Sequence, residues 1–163
     1  LDLEYLSNIN RLQYSDVKSI KLTIMKKNIK IVQKLRSSGL RPTKQRIQIA
    51  KFLFEREKTF HFTVEELDKL INTKISNKKI SLATFYNSVH AFKKAGHLKE
   101  ILTSNNKCYF DTHTGSHHHF FDLESNKLTD INEKEIKIKI FPNAPKGKSI
   151  KDIDVVINIE NDY

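Results

Sequence analysis

Ser81-Leu82-Ala83-Thr84-Phe85-Tyr86-Asn87-Ser88-Val89-His90-Ala91-Phe92-Lys93-Lys94-Ala95-Gly96-His97-Leu98 is the stretch that decides the fold. Ser81 is a good helix N-cap, Phe85, Val89 and Phe92 recur at i, i+4 and i+7, and Gly96 stands where a C′ glycine ends a helix. The pattern predicts one amphipathic helix over 82–95. Its outward face carries Thr84, Tyr86, Asn87, Ser88 and Ala91, and no acidic residue lies between Lys74 and Lys99. Hydroxyls, an amide and an aromatic ring without carboxylates suit the floor of a DNA major groove, where such groups read base edges and thymine methyls.

Upstream, residues 28–37 read as a short helix with Ile31, Val32 and Leu35 inward, stopped at Ser38-Gly39. Pro42 keeps Arg41 extended, and Thr43 caps a second helix over 44–56. That helix buries Ile47, Ala50, Leu53 and Phe54 and turns Lys44, Arg46 and Lys51 outward. Thr63-Val64-Glu65-Glu66 is a capping box opening a third helix through Leu67, Leu70 and Ile71, with His61 in the loop before it. Downstream, extended runs at 98–102 and 107–111 flank the polar turn Thr103-Ser104-Asn105-Asn106. Three helices followed by a hairpin make a winged helix-turn-helix.

Beyond His113 the texture turns strand-like, at 118–123, 128–131 and 153–159. In the last of these Ile153, Val155, Ile157 and Ile159 share one face and Val156 the other. So small a sheet is not stable alone, and we expect it to pack on a second copy. The expected architecture is α+β. Residues 1–27 form an N-terminal extension, helical or disordered, with Leu3, Leu6, Ile9 and Leu12 at helical spacing. Residues 28–112 form a winged-helix DNA-binding domain, and 113–163 a small α/β dimerisation and sensing domain. Met25 is the only methionine, so residues 1–24 read as an upstream extension of a start site.

Charge supports the division. The 163 residues carry a formal net charge of +10, and nine Lys and Arg with no Asp or Glu lie between Lys26 and Lys51. Residues 121–163 hold nine acidic side chains against seven Lys. A basic front half calls for a polyanion, since phosphate neutralisation drives nucleic-acid binding. The single cysteine, Cys108, permits no intramolecular disulfide and no four-cysteine structural zinc, and reads as core. No 18-residue apolar run or secretory signal is seen, so a cytoplasmic protein without a membrane partner is expected. No HExxH, nucleophile elbow or phosphate-cradling glycine loop appears, which argues against an enzyme.

Three of seven histidines are consecutive, His117, His118 and His119. Neutral imidazoles opening a strand, with Asp111 and with His61 reaching across, supply ligands for a divalent metal. Alternate strand residues share a face, so His117 and His119 can share a site while His118 points away; two sites, or one site and a haem contact, both fit. His90 and His97 read as packing or phosphate-proximal residues.

Leu35-Arg36-Ser37-Ser38-Gly39-Leu40-Arg41-Pro42-Thr43-Lys44-Gln45-Arg46, His61-Phe62-Thr63-Val64-Glu65-Glu66-Leu67 and Ser81-Leu82-Ala83-Thr84-Phe85-Tyr86-Asn87 resemble the DNA-binding domain of ferric uptake regulators. Tyr109-Phe110-Asp111-Thr112, His117-His118-His119-Phe120-Phe121 and Pro142-Asn143-Ala144-Pro145-Lys146-Gly147 resemble the iron response regulator branch of that superfamily. The resemblance implies a homodimeric winged-helix transcription regulator of iron and haem genes, active under iron limitation and switched by haem or by a divalent metal (Fe, Mn or Zn). It places Tyr86 and Asn87 on bases and Arg41 at the minor groove; Thr84 on the same outward helix face, and Lys44 and Arg46 on the outward face of the second helix, are further DNA-binding candidates from the residues themselves. It places His61, Asp111, His117 and His118 at positions like those of regulatory metal ligands, with His119 standing where relatives have an aspartate and Phe120 where they have a histidine, and it implies haem at His117, His118 and His119; His119 joins the metal candidates through its place on the strand face of His117. The Cys-Pro haem motif of some branch members is missing. The alternative within the superfamily is an iron- or manganese-loaded peroxide- or metal-responsive repressor; a DNA-binding protein without a sensor is a third reading.

Overall fold

A computed structural model describes residues 14–75, 79–140 and 142–162. The spacing at Leu3 to Leu12 lies outside the described residues. The chain divides into two compact units, Leu1–Lys51 and Phe52–Tyr163.

In the first unit α1 runs through Tyr14–Ser37 as one helix of 24 residues, much longer than the segment predicted over 28–37. No glycine or proline interrupts residues 14–37, so nothing local stops the helix before Gly39. There the Leu40 N–H donates to the Leu35 carbonyl and the Gly39 N–H to that of Arg36, with Gly39 at φ 72°, a Schellman ending. Helix α2, Lys44–Phe54, follows the Pro42 turn, with the Arg46 N–H donating to Thr43 Oγ1. Ile31, Leu35, Ile49 and Ala50 are buried, and Ile47, predicted to be core, is only half-buried.

The second unit carries two three-stranded sheets. Residues His61–Phe62, expected in a loop, form a short strand β1. The capping box then closes in both directions, Glu66 N–H to Thr63 Oγ1 and Thr63 N–H to Glu66 Oε2, and starts α3, Val64–Asn72. Leu67 and Ile71 are buried, whereas Leu70 is exposed. The Asn72 side chain pairs with both the N–H and the carbonyl of Ile80, which fixes the approach to α4, Leu82–Lys94. Ser81 caps α4, and Gly96 at φ 73° ends it with a second Schellman pair. Phe85, Val89 and Phe92 are fully buried as predicted; Ser88, expected outside, is buried beside them.

The hairpin expected as a wing is β2, Lys99–Leu102, and β3, Cys108–Asp111, antiparallel, with β1 on the other edge of β3. The second sheet has β4, His117–Asp122, between β5, Lys127–Asn132, antiparallel, and β6, Val156–Ile159, parallel. Asp122 Oδ1 accepts the Glu124 and Ser125 N–H groups and orders the β4–β5 turn. Tyr109 of β3 packs on Phe121 of β4, with Ile101, Leu128 and Val156 around them, so one apolar cluster serves both sheets. In β6, therefore, Val156 faces the core while Ile157 and Ile159 are exposed.

Candidate metal centre

Strand register builds the centre. Asp111, the last residue of β3, lies directly opposite His61 of β1, and His119 of β4 lies opposite Asp130 of β5. His117 and His119 are two apart on β4, so both imidazoles turn to the face where Asp111 sits. One nitrogen or oxygen from each of His61, Asp111, His117, His119 and Asp130 lies within 4.8 Å of all the others. Asp111, His117 and His119 are buried.

The short distances pair nitrogen with carboxylate oxygen. His117 Nε2 is 2.8 Å and His61 Nε2 3.3 Å from Asp111 Oδ2. His61 Nε2 is 2.8 Å from Asp130 Oδ1, and His119 Nε2 is 3.6 Å from Asp111 and 3.7 Å from Asp130. His117 Nδ1 lies 2.9 Å from the Gly115 carbonyl, a pure acceptor, so Nδ1 carries the proton and Nε2 turns inward. In the neutral ring that nitrogen is a lone pair facing the lone pairs of Asp111, a repulsion that only a proton or a cation between them removes. The buried Nε2 atoms of His61 and His119 have no directed hydrogen bond at all despite the nearby oxygens. Donors at ~2.1 Å from a common ion stand roughly 3 to 4 Å apart, the spacing seen here. Three imidazoles and two carboxylates suit a first-row divalent ion such as Mn, Fe or Zn.

The carboxylates and imidazoles also shift one another. Burial alone raises the pKa of Asp111, but the His119 and His61 imidazoles facing it, the His113 N–H that it accepts and the His61 charge hold it well below the usual carboxylate range. Burial alone lowers that of His61, but Asp111 and Asp130 outweigh it and hold the ring above its ordinary value.

Of the metal residues read from the sequence, the structure brings together His61, Asp111, His117 and His119. His118 is not among them. It projects from the other face of β4, where its Nδ1 accepts the Val155 N–H at 3.4 Å. Asp130 takes the fifth place, which the sequence reading missed; the Ser125-Asn126-Lys127 turn was the signal, since folding the hairpin there sets residue 130 opposite 119.

The residues read for DNA stand separately in the two units. Arg41 and Lys44 are exposed. Arg46 is half-buried and its Nη1 donates to the Arg41 carbonyl, shaping the Pro42 turn from within. On α4, Tyr86 and Asn87 are exposed, while Thr84 is half-buried against the Ser81 cap. The Tyr86 hydroxyl donates to Glu65, which lowers the carboxylate's pKa, and the ring stacks on His90 with centroids 6.1 Å apart.

The ferric uptake regulator family profile matches residues 37–159, which include every residue of the five-donor centre. The chain belongs to this family. Members of the ferric uptake regulator family are metal-responsive transcription regulators, not enzymes. The peroxide-responsive repressor PerR of Staphylococcus epidermidis is 30% identical over 105 residues, 64% of this chain and 67% of the relative. The ferric uptake regulator of Vibrio cholerae shares the fold with a TM-score of 0.61 at 23% identity, over 80% of this chain and 98% of that one. The Pseudomonas aeruginosa regulator, solved with manganese, gives 0.60 at 20% identity over 80% and 97%. The mixed α+β architecture is thus that of the family, and no described helix is long and apolar enough to cross a membrane.

Proposed function

We propose that this regulator binds a specific DNA operator as a homodimer, and that its affinity is set by a divalent metal held by His61, Asp111, His117, His119 and Asp130. The convergence of these five donors around a buried carboxylate carries the reading. It favours the metal- or peroxide-responsive repressor over a haem switch that uses all three consecutive histidines. A bound cation would neutralise Asp111 and Asp130 and supply the charge that the inward Nε2 atoms lack. The chain's own part is to join the wing sheet, through His61 and Asp111, to the second sheet, through His117, His119 and Asp130. In this reading Tyr86, Asn87 and Thr84 of α4 read bases, Arg41 and Lys44 hold the backbone, and Arg46 shapes their turn. The functional boundary falls between residues 112 and 113, with dimerisation beyond it.

The test is operator selection from a random duplex pool with chelated and with Mn-, Fe- or Zn-loaded protein. Loaded protein is expected to select one sequence, with Asp130→Asn needing much more metal and His118→Ala no more than wild type. Selection indifferent to chelator, or lost equally in His118→Ala, would sink the reading.

One observation keeps haem as a second signal. His118 lies on a groove where Ile136, Ile138, Ile150 and Ile153 stand beside Ser116, Glu133, Lys151 and Asp152, so an imidazole meets both apolar and charged side chains. This fits a regulator of iron and haem genes, and a haem absorbance change that persists in His117→Ala but vanishes in His118→Ala would support it.

A further inference from the structure

The family profile begins at residue 37, yet α1 is already a helix from Tyr14. Almost all of α1 thus lies upstream of the matched residues. From Val17 to Phe54 the chain has eleven Lys and Arg and not one Asp or Glu. Lys26, Lys30 and Lys34 recur at i, i+4 and i+8, are exposed, and form one stripe along α1, while Ile31 and Leu35 are buried on another face. Such spacing is not needed for a soluble helix, which commonly interleaves Glu with Lys at i, i+4 for stability; here the like charges repel along the stripe. A dense external anion suits a row of like charges, since its phosphates neutralise several at once.

We infer that the Lys26–Lys30–Lys34 stripe of α1 is a backbone clamp for duplex DNA, gripping phosphates without reading sequence. The stripe's ends are ~12 Å apart at 1.5 Å per residue. One DNA strand presents a phosphate about every 3.4 Å along the axis, so three lysines cover three or four phosphates. The apolar line beside them, Leu22, Met25 and Ile29, is exposed but narrow, and Arg36 falls on its continuation. That is too little apolar face for a helix lying in a membrane surface, and it leaves the charge as the dominant feature.

The inference rests on the DNA-binding function proposed above, and the experiment separates the two. Metal-loaded full-length protein is titrated with a fluorescent mixed-sequence duplex over a range of salt concentrations, beside Lys26/Lys30/Lys34→Gln and Lys26/Lys30/Lys34→Arg variants. Circular dichroism melts verify that the helix persists in both. The Gln variant should bind at least tenfold more weakly at physiological salt. Its log affinity against log salt should be shallower by about 0.9 per lysine, whereas the Arg variant keeps the wild-type slope. A wild-type slope in a folded Gln variant overturns the clamp while the regulator reading stands. So does loss of binding to phosphatidylcholine–phosphatidylserine vesicles with the duplex slope intact. Wild-type protein that binds no duplex at all, with or without metal, removes both.

Discussion

Asp111 is the residue on which the centre turns, because a fully buried carboxylate is held ionised by the imidazoles around it and the His113 N–H. His61 has a folded pKa above its ordinary 6.5, so in metal-free protein its proton-held contact with Asp111 and Asp130 stabilises fully below that value. The contribution is lost as pH rises through the raised value. Asp111 works the other way, its depressed pKa giving stability above the ordinary 3.8 that disappears as pH falls through the folded value. A metal must displace the His61 proton, so affinity for Mn should climb with pH until the pH passes the raised value of His61, and level off once the ring is neutral. Isothermal titration in buffers of different ionisation enthalpy would show the released proton; pH-independent affinity there would refute the coupling. Cys108 gives a second residue-scale outcome. Burial, and then the Glu100 carboxylate 3.0 Å away, push the thiol up to about 12. Iodoacetamide should label it slowly at neutral pH, and faster in Glu100→Gln; equal rates would show that the carboxylate does not matter. Cys108, expected in the core, is only half-buried: it opens β3 opposite the exposed Leu102, whereas Phe110 on the same face lies deeper and is buried.

At the scale of elements, the helices were legible because their signals are local. The Thr63 box, the Ser81 cap and the glycines at 39 and 96 each act within a few residues of chain. Gly96 lies at φ 73° with open space where a Cβ would go, so only the backbone conformation opposes substitution. Gly96→Ala should cost about 1 kcal/mol in denaturant unfolding and Gly96→Asn less, since Asn tolerates the left-handed region. A neutral Ala variant would mean that the Schellman ending is not held in solution. Strand β1 escaped notice for the opposite reason. Two residues carry no periodicity, and His61–Phe62 is a strand only because β3 offers an edge to pair with. That pairing matters, since it stacks Phe62 on Phe110 in the core and sets His61 against Asp111.

For the molecule as a whole, Ile157 and Ile159 are exposed on the outer face of β6, and Leu123, Ile138 and Ile150 are exposed elsewhere in the C-terminal region. Apolar exposure of this kind is what a second copy would cover. An Ile157→Lys, Ile159→Lys double variant should sediment as a monomer where wild type sediments as a dimer, and should lose operator affinity by more than tenfold. An unchanged dimer would place the interface elsewhere.

The sequence by itself determined the three later helices, the hairpin over 99–111, the basic front half and four of the five residues of the candidate centre, because caps, periodicity and charge are properties of neighbouring residues. Only the tertiary structure decided that Asp130 joins the centre, that His118 leaves it and that Val156 is the inward residue of β6. Those outcomes depend on strand register, where a shift of one residue reverses every side chain, and register is settled by the pairing of segments distant in the chain.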